Sequence, residues 1–238
     1  MRRIATLAFV AAAVVASAAV ALASPSPKAV RASILAAART ERSVHWSAKE
    51  IVGQVAIKTA TDAARSGGVQ TVTLGVVQKN GHERMGHVHI VVTGGVAYIR
   101  ADALGLQMSL DLASAQAKKY AGRWISIPKV DPAYKPTAEG DTMNSVVHDL
   151  APHGRLTLIS AKSHGVRVIG VRGVSGSGAK KMAKVVIAHT KGKRLPLEED
   201  ILVPGKSALD HMLFSKWNET VKVTAPAKST PISAVRAG

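Results

Sequence analysis

From Val44 onward the apolar residues of this chain fall at every second position, and that change of period constrains the fold more than any other feature. Val44, Trp46 and Ala48 alternate with Ser43, His45 and Ser47, and Val55 and Ile57 share a face. Val72, Leu74 and Val76 repeat the pattern, then Val88, Ile90 and Val92. A period of two is that of a strand with one face buried. Turn signals separate the runs: "DAARSGG", then Asn80-Gly81, where both residues tolerate positive φ, then "TGG" before Val96 to Arg100. No helical stretch intervenes, as a parallel sheet would require, so the sequence predicts an antiparallel meander.

Helical spacing brackets this run. Val30, Ile34, Leu35 and Ala38 predict an amphipathic helix within Lys28 to Glu41. After the meander, Leu106, Leu110, Ala113 and Ala117 predict another, with Gly122 as its cap. "RWISIP" reads as a short strand ended by Pro128, and Asp141 as the N-cap of a helix carrying Met143, Val146, Val147 and Leu150. Strands resume at Leu156–Ile159, Val166–Val171, Lys184–His189 and Arg194–Val203, and Met212 and Phe214 lead to a last strand ending near Thr224. That last strand, with Phe214 and Trp217, reads as the closing edge of a curved sheet. Residues 227–238 hold too little apolar mass to fold alone and read as a flexible tail.

The first residues have a different logic. Arg2 and Arg3 precede an apolar run from Ile4 to Ala23, and Ala21-Leu22-Ala23 forms a small-residue cleavage site, so residues 1–23 read as a signal peptide. Residues 24–42 are then a linker and helix, and residues 43–226 one domain. The 238-residue chain has no cysteine, which excludes disulfides, thiolate chemistry and a cysteine-linked lipid anchor. The expected location is secreted or cell-envelope. Lys and Arg number 32 against 15 Asp and Glu, a net charge of +17 that favours an anionic envelope surface as partner. No physiological nucleic acid is expected, because the cations are scattered and aromatic stacking platforms are few.

Catalytic and metal motifs fail on spacing. His87 and His89 share a strand face with His82 nearby, yet no third ligand completes a zinc set, so no metal and no cofactor are expected. "RGVSGSG" lacks the final glycine of a nucleophile elbow, and Ala179 stands where a phosphate loop needs lysine. Asp141, Asp149, Glu198, Glu199 and Asp200 offer acids without evidence of a facing pair. Asn218-Glu219-Thr220 matches a glycosylation acceptor in a predicted strand, and no function is drawn from it.

A series of phrases, in order, carries a resemblance: "SVHWSAK", "GGVAYIRAD", "YAGRWISIP", the helix from Met143 to Leu150, "RLPLEEDI" and "FSKWNETVKVTAP". Together they resemble the actinobacterial LppX/LprAFG cell-envelope family, which is similar to the LolA/LolB lipoprotein-carrier fold. The resemblance spans most of Ser43 to Pro226. It departs at the cleavage site, where lipoprotein members carry a cysteine and this chain has Ala23-Ser24. What the resemblance implies is an α+β fold, a curved antiparallel half-barrel sheet wrapped around a few helices, with an apolar cavity for lipid. On that pattern Tyr98, Trp124, Phe214 and Trp217 support the fold, while Leu106, Leu110, Val146, Val147 and Leu150 line the cavity. The expectation is a monomeric, non-enzymatic binding or carrier protein for a lipid-like amphipathic ligand in an apolar groove. Two alternatives stand beside it: a structural or protein-interaction module of the envelope, and a hydrolase with a concealed acid pair.

Overall fold

The computed structural model describes residues 24–77, 82–175, 182–202 and 208–237. The expected signal peptide, the Asn80-Gly81 turn and most of the glycine–serine loop after Ser175 lie outside the described residues.

Helix α1 (Pro27–Thr40) begins where the Ser26 hydroxyl accepts a hydrogen bond from the Ala29 N–H and Pro27 supplies a preset φ. The predicted meander follows as β1 (Ser43–Val52), β2 (Val55–Ala64), β3 (Gly67–Val77), β4 (Glu83–Thr93) and β5 (Val96–Ala101). Where one helix is expected next, the structure has two, α2 (Ala103–Leu110) and α3 (Ser114–Tyr120). Asp111, at φ 53°, breaks them apart. Gly122 follows α3 with φ 73°, the conformation in which glycine ends helices. Then come β6 (Ile125–Pro128), the single turn α4 (Tyr134–Thr137) and α5 (Met143–Asp149). A second meander contains β7 (His153–Ser163), β8 (Val166–Ser175), β9 (Met182–His189), β10 (Pro196–Leu202) and β11 (Ala208–Ser215).

The strands join in one twelve-stranded sheet, in the order β12-β6-β5-β4-β3-β2-β1-β11-β10-β9-β8-β7. Strand β12 (Thr230–Pro231) pairs parallel to β6 and leads into α6 (Ile232–Ala237). The expected half-barrel wrapped around helices is thereby overturned: the sheet is open, neither closed nor strongly curled, and ends in a parallel pair. Alternation specifies pairing and facing, whereas closure depends on strand tilt and stagger, which no residue pattern announces. Pro231 also lacks an N–H with which β12 could recruit a further strand.

The last strand differs too. β11 stops at Ser215, short of Thr224, and lies between β1 and β10 in the middle of the sheet. Trp46 faces Phe214 in the β1–β11 register, so this pair splices the two meanders. Lys216 and Asn218 both adopt positive φ, which ends the extended run. The Asn218 side chain accepts from the Arg42 N–H at 2.7 Å and donates to the Glu41 carboxylate, locking this turn onto the end of α1.

Residues paired across a sheet share a face. The registers therefore align Ala101, Val88, Val72, Thr59, Ala48, Met212, Glu199, Val186 and Val171 in one row. The buried apolar side chains of that face gather in two clusters. The first holds Ile90, Ile99 and Ile125 beneath α2, α3 and α6. The second holds Val44, Trp46, Val186 and Phe214 beneath α1 and α5. Between them runs a polar seam, where buried Gln70 donates to Thr61 Oγ1 at 3.1 Å. No helix of the described residues is long and apolar enough to cross a membrane.

Candidate functional site

A cavity of about 450 Å³ opens on the α5 side of the seam. Its wall is apolar: Trp46 and Ala48 from β1, Met212 from β11, Ile201 from β10 and Ala151 after α5. Its floor is charged, because Glu50, Asp210, Glu199 and Lys184 occupy inward positions on β1, β11, β10 and β9. The roof is the loop through Glu139 and Gly140 together with His148 and Asp149 at the end of α5.

Two contacts hold the roof. Trp46 Nε1 donates to the Gly140 carbonyl at 3.0 Å. Gly140 has φ 80°, and a Cβ there would come within 2.7 Å of the Trp46 ring, so both backbone and packing require glycine. Lys184 Nζ then donates to the Asp149 carbonyl, one of the acceptors that a helix leaves unsatisfied at its C-terminus.

Electrostatics set the floor apart from an ordinary core. Lys184 and Glu199 form an ion pair of 2.6 Å with side chains 6% and 5% exposed. Burial pushes the Glu199 carboxyl up to about 7, against the pull of the Lys184 ammonium. Burial likewise raises Asp210, whose Oδ1 is enclosed without a hydrogen-bond partner among the described residues. Glu50, directly opposite Asp210 in the β1–β11 register, is raised by burial and by that neighbour. One ammonium thus shares the cavity floor with three carboxylates, each raised from its ordinary range first by burial.

The expected cavity-lining residues lie elsewhere. Leu106 and Leu110 belong to the first apolar cluster, and Val146, Val147 and Leu150 to the second, on opposite sides of the seam. Phe214 is buried in the second cluster and stacks on Trp217, with ring centroids 6.2 Å apart. Trp124 sits on the other face of the sheet, where the Arg100 guanidinium lies 4.9 Å above its ring and His89 meets it edge-on at 5.4 Å. Tyr98 is half-buried on β5 opposite Val91. His87 shares the outer face with His89, and among the described residues no three His, Asp or Glu side chains gather as a metal site. Asp141 does not cap α5. Thr142 does, its hydroxyl accepting from the Ser145 N–H at 3.2 Å, while Asp141 is fully buried behind the roof loop.

Glu50, Lys184 and Asp210 escape sequence inspection for a simple reason: each stands near other charges and reads as strand-end polarity. The signal that finds them is phase. Glu50 continues Val44, Trp46 and Ala48, Asp210 precedes Met212 and Phe214, and Lys184 precedes Val186 and Ala188, each at two-residue spacing. A charge in the inward phase of an alternating strand is either paired or functional.

No protein-family model matches this chain, and no curated protein matches it. Among solved structures it is similar to an uncharacterized conserved protein from Thermus thermophilus, at 11% identity and a TM-score of 0.43, covering 87% of this chain and 98% of that one. That likeness is too distant to carry over any residue or role.

Proposed function

We propose that this protein is a non-enzymatic binding or carrier protein for a lipid-like amphipathic ligand, held in the cavity beneath α5. The observation that carries the reading is the division of one 450 Å³ space into an apolar wall and a charged floor. Its volume falls in the range of small-molecule sites, roughly 300–1,000 Å³. Trp46, Ile201 and Met212 would cover the apolar part of the ligand, each buried CH₂ contributing about 0.8 kcal/mol before ordering costs. Lys184, Glu199 and Asp210 would meet its polar end. The sequence resemblance to the LppX/LprAFG family, whose half-barrel this sheet does not form, agrees with such a ligand, and the signal peptide expected over residues 1–23 agrees with a secreted or envelope location.

The floor also supports a second reading, a hydrolase. Glu199 near 7 and Asp210, also raised by burial and with its Oδ1 unpartnered among the described residues, are two acids in one cavity of the kind that general acid–base chemistry uses.

Native mass spectrometry of the protein from its source, followed by organic extraction, tests the carrier. The expected result is a stoichiometric amphipathic molecule that is lost when Ala48→Phe fills the cavity. Ligand-free wild-type protein would overturn the reading. Turnover of an extracted molecule by wild type but not by Glu199→Gln would replace it with the hydrolase.

A further inference from the structure

The outer face of the sheet, opposite the cavity beneath α5, carries a hollow of its own. It measures about 700 Å³, with β3, β4 and β5 as its floor and the turn through Ala121 and Gly122 as one wall. The registers bring Thr71, His89 and Arg100 into one row across these strands, and Thr73 and His87 into the next. Directly opposed side chains have Cβ atoms about 4.5–5.5 Å apart, and successive rows on one face are separated by about 7 Å. Five side chains with N–H or O–H donors therefore border one small patch.

What the hollow lacks is an available acceptor. Asp102 is the one carboxylate in its wall among the described residues, and both of its oxygens are taken. One accepts from the Gly105 N–H at 2.7 Å, the other from the His87 N–H at 2.8 Å. Elsewhere on this face two histidines are answered by an acid on the adjacent strand, His45 by Asp62 and His211 by Asp200, each at 2.7 Å. The rings of His87 and His89 and the Arg100 guanidinium have no such partner among the described residues. The next charges along the face are Lys58, exposed beside Thr73 on β2, and Glu83, whose carboxylate lies over Gly75 one row beyond Thr73. Unpaired arginines are common on surfaces, but this one is held in place. Its guanidinium lies 4.9 Å above the Trp124 ring, which His89 meets edge-on at 5.4 Å. Burial and the Arg100 charge keep the His89 imidazole below its usual range, so at neutral pH it adds a donor without a second positive charge.

We propose that this hollow binds a phosphate group. Arg100 would grip two of its oxygens through the planar fork, and Thr71, Thr73 and the two imidazoles would reach the others. A carboxylate offers two oxygens in one plane, whereas the donors here come from two rows on three strands, an arrangement suited to a tetrahedral anion. The phosphate belongs either to a soluble ester or to a lipid headgroup, since the chemistry of recognition is the same. The hollow lies on the face opposite the proposed carrier cavity and stands whether or not that cavity holds a ligand.

The test follows the histidine ring signals of the isotope-labelled full chain by NMR while inorganic phosphate replaces chloride at constant ionic strength. The expected result is a saturable shift confined to His87 and His89, assigned with His87→Gln and His89→Gln. The His89 pKa should rise in the complex, because a neighbouring anion favours imidazolium. Arg100→Gln should weaken binding at least about tenfold, and Arg100→Lys, which keeps the charge but loses the fork, by less. Both sources support the site and are told apart by a second titration: glycerol phosphate binding as well as short-chain phosphatidic acid indicates a soluble ester, and tighter phosphatidic acid a lipid headgroup. Unmoved His87 and His89 signals overturn the proposal. So does a shift shared by all the histidines, which would be screening of the +17 chain. Acetate matching phosphate, or Arg100→Gln binding as wild type does, overturns it equally.

Discussion

Asp141 has no exposed surface and no hydrogen-bond partner for either carboxylate oxygen among the described residues, so burial lifts its pKa from 3.8 to about 8. Folded protein therefore keeps this proton over a range in which the unfolded chain has already lost it. Stability contributed by the neutral acid is fully present below about pH 4 and declines as the pH rises towards 8, by as much as roughly 1.4 kcal/mol per pH unit. Asp141→Asn should flatten that slope, read as the pH dependence of urea unfolding between pH 5 and 8, and an unchanged slope would mean that Asp141 is hydrated. Sequence reading recognised Asp141 as notable but assigned it the wrong role. A cap and a buried acid look alike when Thr142, itself able to cap, stands next to it. The charged floor was legible in principle through the phase of Glu50 and Lys184, but phase identifies a face without saying which strands bring those faces together.

At the scale of elements, local signals worked where a helix or strand makes its own hydrogen bonds and failed where packing decides. Helix α1 and the strands β1 to β5 follow directly from period and caps. The C-terminal segment does not: "TPISAVRAG" has four apolar residues in a polar context, yet Ile232 is 2% exposed and Val235 not at all. A segment that cannot form a core can still complete one, and here it lies over β6 beside α3. Arg236 adds a bidentate pair to Asp131, with contacts of 2.7 and 3.2 Å. Ile232→Ala should accordingly cost about 2–5 kcal/mol in equilibrium unfolding, whereas a loose tail would tolerate it without change.

For the whole molecule, strand order was the least legible property, because adjacency of β1 and β11 is a choice between distant partners and leaves no local trace. The half-barrel that the resemblance implied is not the sheet the molecule has, and alternation does not separate the two, since an open sheet with helices on one face presents the same inward pattern. An open sheet has ends of unequal protection. Strand β7 has one unpaired edge, and none of its side chains is fully buried. Hydrogen exchange should therefore reach β7 amides well before those of β1 and β4, which have neighbours on both sides. Uniform exchange across the sheet would contradict the open arrangement.

The splice at Trp46 and Phe214 also dictates an order of events in time. During synthesis the first meander can collapse as soon as it emerges, but one rim of β1 stays unsatisfied until the far end of the chain arrives. Through that interval a strand from any other molecule satisfies it equally well. The hazard for this protein therefore falls before completion rather than after, and a product cut short ahead of β11 would be a sticky half-sheet instead of a smaller working domain.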